Sequence, residues 1–327
     1  MLRVTRTLTR MLALGAVAGL AIPLGAQTQF QFMISATDAK GAPVTDVTPA
    51  DVLMTENGVA NDILKVEPFK MPVKLTIAVD NGPLSREALA HYRTGLTEMV
   101  KALPADMEIT LITIAPQPRT VVRPTANRDQ ILRGINGFAP EQEAPRFTDA
   151  LVEFSQRLER ELRDSKKVDS LPVLIMVSTT ANEAASYEVP AIQKALGFLQ
   201  QRKAKVYVAM VAVRNSDALT GNLNERREAQ AADLTGVTDI NTNRQAMIAI
   251  PTVKATGGRY EALAISNRLA TLLPEFGSDI GALHTKLTNQ VLVTVQRKAG
   301  LTGPLQNPQV ELKRPGITGQ VSLDGLP

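Results

Sequence analysis

The chain has 327 residues, 44% of them apolar, with 36 Lys and Arg against 32 Asp and Glu, no Cys, no Trp and 4% aromatics. That apolar content can bury a full core without staples, and the missing Cys excludes disulfides and thiolate metal sites. No stripe of Lys and Arg interleaved with aromatics occurs, so nucleic acid is not an expected partner, and so few aromatic platforms argue against sugar binding.

Arg3, Arg6 and Arg10 precede an apolar stretch at 11–24 and the small residues Gly25 and Ala26. This is the pattern of a secretory signal, residues 1–26, too short and too broken by Gly and Pro23 to span a bilayer well. The alternative is an uncleaved anchor. The mature chain is expected to be exported, periplasmic or extracellular. No later segment has the roughly 18 apolar residues that a membrane span needs. The leader carries three Arg and no acid, so the net charge of +4 falls to about +1 without it.

Residues 27–70 read as a small β module. Phe30, Phe32 and Ile34 alternate with Gln31, Met33 and Ser35, the period of a half-buried strand. Residues 40–43 are a turn, and Glu56-Asn57-Gly58 between 52–55 and 63–66 signals a hairpin. From Met71 to 288 strands alternate with helices. VKLTIAVD (73–80), MEITLITIA (107–115), LPVLIMVS (171–178) and KVYVAMVAV (205–213) are apolar runs of the kind buried on both faces of a parallel sheet. A shorter strand falls near 120–123. Between them come helices marked by Leu89, Tyr92, Leu96, Met99 and Leu103, and by the N-cap Asn127. Another is capped by Thr148 or Asp149 and carries Leu151, Phe154, Leu158 and Leu162. Ile192, Leu196 and Leu199 mark the next.

The polar stretch 214–243 reads as a functional loop with a solvated helix at 224–234. A helix through Ala255 stops at Gly257-Gly258, before a short edge strand at 260–262. Ile265, Leu269, Leu272, Leu273, Phe276, Ile280, Leu283 and Leu287 line a long last helix. Residues 289–327 form a C-terminal β segment, expected to pack with the N-terminal module. Such alternation implies right-handed crossovers around a central, mostly parallel sheet.

The run ending on Asp80, the Asp149-Ala150-Leu151 helix start, the two apolar strands that follow and ATGGRY before the last helix together resemble the von Willebrand factor type A domain. The version they resemble is a divergent one found in exported proteins of soil bacteria, of acidobacterial type. The resemblance covers nearly the whole mature chain. It implies an α/β fold, Rossmann-like and doubly wound, flanked by the two β segments. It also implies adhesion or assembly, with a protein partner held by loops at the carboxyl edge of the sheet.

The family's metal site takes Asp-x-Ser-x-Ser after the first strand, a Thr from a second loop and an Asp after the fourth strand. Asp80 matches the first position. The two Ser positions fall on Gly82 and Leu84, with Ser85 one place late. Thr148 is the nearby candidate for the Thr, although the Asp149 register puts Pro145 there, and the last Asp falls on Thr179. Mg²⁺ wants about six oxygens at roughly 2.0–2.1 Å, so one carboxylate and neutral neighbours hold at most a loosely bound, mostly hydrated ion. No cofactor and no working metal site are expected, Asp80 and Thr148 being the nearest to ligands. Asp80 is read instead as capping the following loop.

His91 and His284 are the only imidazoles, and neither sits in a zinc pattern. No Gly-x-Ser-x-Gly elbow frames Ser178. The function expected is therefore an exported, non-enzymatic protein-interaction domain whose degenerate metal site lies among loops 81–86, 139–148, 179–188 and 214–243. Asp80, Asn81, Ser85, Thr148, Thr179 and Asn182 are placed on the binding face. The partner is a protein of the cell envelope or outside the cell. Two alternatives stand beside it: an exported hydrolase using the acidic pairs Asp106/Glu108 and Glu141/Glu143, and a structural envelope component.

Overall fold

A computed structural model describes residues 29–166, 168–212, 244–298, 300–301 and 303–322. The expected leader lies outside these residues, as does the stretch 214–243 with its expected helix.

Residues from both ends of the described chain build one β layer pair. β1 (Gln29–Asp38) is followed by β2 (Pro43–Val44), β3 (Val52–Glu56), β4 (Val59–Ala60) and β5 (Asp62–Phe69). β12 (Gln290–Gln296), β13 (Pro308–Leu312) and β14 (Ile317–Ser322) come from the far end. One sheet runs β14-β1-β12-β5 and the other β13-β3-β4. Phe32, Ile34, Val52, Met54, Val291 and Val293 fill the space between them. Arg297 seals it by donating from Nε and Nη2 to both oxygens of the buried Glu56, at 2.9 and 2.5 Å. That bond keeps the Glu56 carboxyl ionised to lower pH than an ordinary glutamate.

Two local expectations change here. The turn forms at Asn57 and Gly58, both with positive φ, the two-residue geometry that fits the twist of paired strands. Its second strand is β4, however, and not residues 63–66, which belong to β5 and pair with β12. Asn61 ends β4 by turning inward: its Oδ1 accepts from Lys298 N and its amide donates to Met54 Sδ, so the chain crosses to the other sheet. Alternation along β1 is also incomplete, because Met33 and Ser35 are buried with Phe32 and Ile34. Ser35 takes a hydrogen bond from the buried Gln290 on the face turned toward the α/β domain.

The α/β domain contains β6 (Val73–Val79), α1 (Leu89–Ala102), β7 (Glu108–Thr113), β8 (Arg119–Thr125), α2 (Arg128–Gly137), α3 (Phe147–Ser165), β9 (Leu171–Thr179), α4 (Val189–Gln201), β10 (Lys205–Val211), α5 (Arg244–Thr256), β11 (Tyr260–Leu263) and α6 (Leu269–Thr288). Its sheet runs β11-β10-β9-β6-β7-β8, parallel throughout except for the antiparallel edge β8. This is the α/β, doubly wound, mostly parallel architecture. Leu75, Ile77, Val173 and Ile175 pack on one face with Tyr92 and Leu96 of α1 and Leu273 and Phe276 of α6. Ala78, Leu174, Met176 and Val208 pack on the other with Leu151 and Phe154 of α3, Leu196 of α4 and Ile248 of α5. Both faces being covered explains why these strands are unbroken apolar runs.

Helix ends differ in two places. Neither Thr148 nor Asp149 is the N-cap of α3, which starts at Phe147 with Arg146 before it and no local side-chain cap. α6 starts at Leu269 after a 3₁₀ turn at Ser266–Arg268, so Ile265 is left 58% exposed instead of joining the apolar stripe. α6 meets α1 closely at Gly95, where a Cβ would stand 2.4 Å from Leu269 O. His284 is a packing residue: its Nδ1 accepts from Val73 N and its Nε2 lies 3.2 Å from Asp106 Oδ1. His91 Nδ1 lies 2.8 Å from Ser266 Oγ. Among the described residues no helix is long and apolar enough to cross a membrane.

Candidate functional site

Parallel strands leave their carboxyl ends at one edge, and β6 and β9 are neighbours there, so Asp80 and Thr179 meet although 99 residues separate them. Asp80 is 1% exposed. Its Oδ1 accepts from Gly82 N at 2.8 Å. Its Oδ2 faces Thr179 Oγ1 at 3.0 Å, Ser178 Oγ at 3.1 Å and Thr179 N at 3.3 Å. No cation appears among the groups that set its ionisation; burial pushes its pKa above the ordinary 3.8 and the hydrogen bonds only pull part of the way back.

Ser178, beside Asp80, also reaches a second buried side chain, Gln245. Gln245 at the start of α5 donates from Nε2 to Ala181 O at 2.7 Å, which turns its Oε1 toward Ser178. The carbonyl of Ala181 can only accept, so this amide orientation is forced. Ser178 Oγ lies 2.6 Å from Gln245 Oε1 and 3.1 Å from Asp80 Oδ2, so its one proton serves two acceptors in competition. Tyr92, wholly buried under the same edge, has an Oη without a hydrogen-bond partner among the described residues. Burial and then the Asp80 charge push its phenol well up.

Asn81 and Ser85 fix the loop after β6. Asn81 donates to Ala139 O, accepts from Ala115 N and receives Glu141 N on its own carbonyl, so one buried residue ties three segments together. Ser85 donates to Gly82 O at 2.8 Å and is fully buried. Gly82 has no room for a side chain: a Cβ would stand 3.0 Å from Pro145 and 3.3 Å from Glu143 O. Leu84 points the other way and is 55% exposed.

Thr148 is engaged from a different loop. Glu183 accepts from Thr148 N at 2.7 Å and from its hydroxyl, supplying across the loop the cap that α3 lacks locally. Asp149 returns the contact by accepting from Ser186 N at 2.8 Å and Tyr187 N at 3.3 Å. Arg244 stands 3.5 Å from Glu183 and donates to Tyr187 O. Burial raises the Glu183 carboxyl above its ordinary pKa against these hydrogen bonds and the Arg244 charge.

Asp80, Asn81, Ser85, Thr148 and Thr179 therefore come together at the carboxyl edge but lie beneath its surface, each 2% exposed or less, while Asn182 is exposed. The residues fit a divalent ion poorly. Asp80, Ser85, Thr148 and Thr179 spend their oxygens on internal hydrogen bonds, Gly82 has no side-chain oxygen and its carbonyl is taken by Ser85, and Leu84 presents hydrocarbon. Among the described residues no three His, Cys, Asp or Glu gather as a metal-binding group. The acidic pairs stand apart, Asp106 and Glu108 at the amino end of β7, and Glu141 and Glu143 in the loop over Gly82.

Glu183, Gln245, Arg244 and Tyr92 were invisible to motif reading. Only Tyr92 carried a sequence signal, and that was its place in the apolar stripe of α1.

No family model matches the chain, and no curated protein does. Among solved structures it is similar to BatB from Bacteroides thetaiotaomicron, at 14% identity over 64% of this chain and 98% of that one, with TM-score 0.41. Von Willebrand factor type A from Catenulispora acidiphila is similar at 8% identity over 90% of this chain and 72% of that one, TM-score 0.47. Proximal thread matrix protein 1 from the mussel byssus, in a form with a zinc-occupied MIDAS motif, is similar at 10% identity over 66% and 49%, TM-score 0.45.

Proposed function

We propose that this chain is an exported, non-enzymatic interaction domain that holds a protein partner of the cell envelope or its surroundings, using loops at the carboxyl edge of the sheet and no metal ion. The observation that carries the reading is the exposure of Leu84 on a loop whose every other anchor is buried. A large apolar side chain held out to solvent by Asp80, Asn81 and Ser85 beneath it is a preorganised contact, and preorganisation lowers the entropy cost of binding. Arg86 and Glu87 beside Leu84, and Glu143 on the facing loop, are exposed as well, so the partner surface suited to this rim is apolar at its centre and carries charges of both signs around it. The buried carboxylates of Asp80 and Glu183 act as internal ties between loops.

Site-specific photocrosslinking of the exported chain tests this. A crosslinker in place of Leu84 or Asn182 should trap the same envelope protein, and one in place of Val168, exposed beside the amino end of β9, should not. Leu84→Asp should abolish trapping from position 182, and a chelator should leave it unchanged. Equal trapping from all three positions, or loss of trapping with chelator, overturns the reading.

A further inference from the structure

At the opposite end of the sheet the face carrying α3 is not fully covered. Between α3 and the edge strand β8 lies a cavity of about 440 Å³ floored by Thr76, Thr110 and the amino ends of β6 and β7, with Phe154, Arg157 and Leu158 of α3 as its wall. Its size is within the range of small-molecule sites. Where apolar residues would be expected on a doubly covered sheet, the floor presents hydroxyls.

Arg157 is the unusual group. Its guanidinium donates from Nη2 to Thr76 Oγ1 at 2.8 Å and stacks 5.3 Å from the centre of the Phe154 ring, so its plane is fixed. The side chain is 34% exposed, yet the nearest carboxylate is Glu161 at 3.8 Å, itself 55% exposed and turned to water. Burial disfavours the cation and Glu161 only partly offsets that. A half-buried guanidinium held in one plane, whose carboxylate contact among the described residues is a long and exposed one, is only partly compensated, and a planar fork of donors matches a carboxylate. Val121 at the mouth is 37% exposed and gives an apolar surface facing Phe154 and Leu158. Lys74 at the rim pairs with Asp169 at 3.6 Å, and the lining carries Lys74, Arg123 and Arg157 against Glu108 and Glu161, a positive excess that suits an anion.

We propose that this cavity is a binding site for a carboxylate joined to an apolar or aromatic body, the carboxylate on Arg157 and the body between Val121 and the Phe154–Leu158 wall. The same chemistry occurs in a free aromatic acid and at the C-terminus of a peptide. The site is separate from the carboxyl-edge loops and does not rest on their reading.

Two-dimensional amide NMR of the full mature chain, titrated with benzoate, benzamide and N-acetylphenylalanine, tests it. Benzoate or N-acetylphenylalanine should shift Thr76, Thr110, Val121 and Leu158 saturably, and benzamide should bind at least about tenfold more weakly. Preference for the first acid points to a free ligand and for the second to a peptide terminus. Arg157→Gln should abolish the shifts and Arg157→Lys should weaken them. Val121→Asp, a change at an exposed position that leaves the core intact, should weaken binding at least about fivefold and keeps the test valid should Arg157→Gln misfold. Benzamide binding as well as benzoate, no saturable shift from either acid, or indifference to Val121→Asp overturns the proposal.

Discussion

Replacing Asp80 with Asn should remove a defined pH dependence from stability. Asp80 is buried with no cation beside it among the described residues, and its folded pKa lies above the 3.8 of a free carboxyl. Between those two values the folded chain holds a proton that the unfolded chain has released. Stability must then fall as pH rises through that window, by about 1.4 kcal/mol per pH unit, and stay level beyond it. The sign is opposite to that of Glu56, whose lowered pKa makes its contribution present above about pH 4.5 and lost as pH falls. Urea denaturation of the wild type and Asp80→Asn from acid to neutral pH, with chelator present, isolates the Asp80 part, since other carboxylates cancel in the difference. The amide misplaces one donor and adds a constant penalty, which leaves the slope untouched. The wild type should lose stability relative to the variant as pH rises from about 4. A difference that is flat, or that grows in favour of the wild type, would refute the reasoning, for it would mean that ionised Asp80 is well compensated.

Other perturbations test separate parts of the account. Tyr92→Phe deletes a buried hydroxyl without a partner among the described residues, so its effect should range from neutral to stabilising by up to about 1 kcal/mol in urea denaturation; a clear loss means that the hydroxyl has a partner. Glu183→Ala removes the cap on α3 and should cost about 1–2 kcal/mol while opening residues 181–188 to limited proteolysis, and unchanged cleavage would argue against the tie. Gly95→Ala drives a methyl to within 2.4 Å of Leu269 O, so α1 and α6 must separate at a cost of about 1–3 kcal/mol; a fully stable variant would show that the crossing is looser. Mg²⁺ or Mn²⁺ at about millimolar level should raise Tm by less than about one degree, and a clear rise abolished by Asp80→Ala would show a working ion site.

Local pattern determined much of this protein. The apolar runs of β6, β9 and β10 announce strands covered on both faces because a strand's side chains alternate every residue, so burial of both faces leaves no polar gap. The stripes of α1, α3 and α6 announce helices for the matching reason at 3.6 residues per turn. Asp80 at the end of a buried strand was likewise legible as a residue at the carboxyl edge of the sheet.

What the tertiary structure alone decided is how each buried polar atom is satisfied. A two-residue turn was readable at Asn57-Gly58, but the strand that answers it depended on Asn61 meeting one donor, Lys298 N, 237 positions away. Glu183 capping α3, Gln245 orienting Ser178, and the exposure of Leu84 follow from distant segments converging at one sheet edge. Periodicity reports which face is apolar; it holds no record of which distant donor a buried carboxylate meets. That pairing follows from chain crossing and desolvation, which exist only once the sheet is assembled.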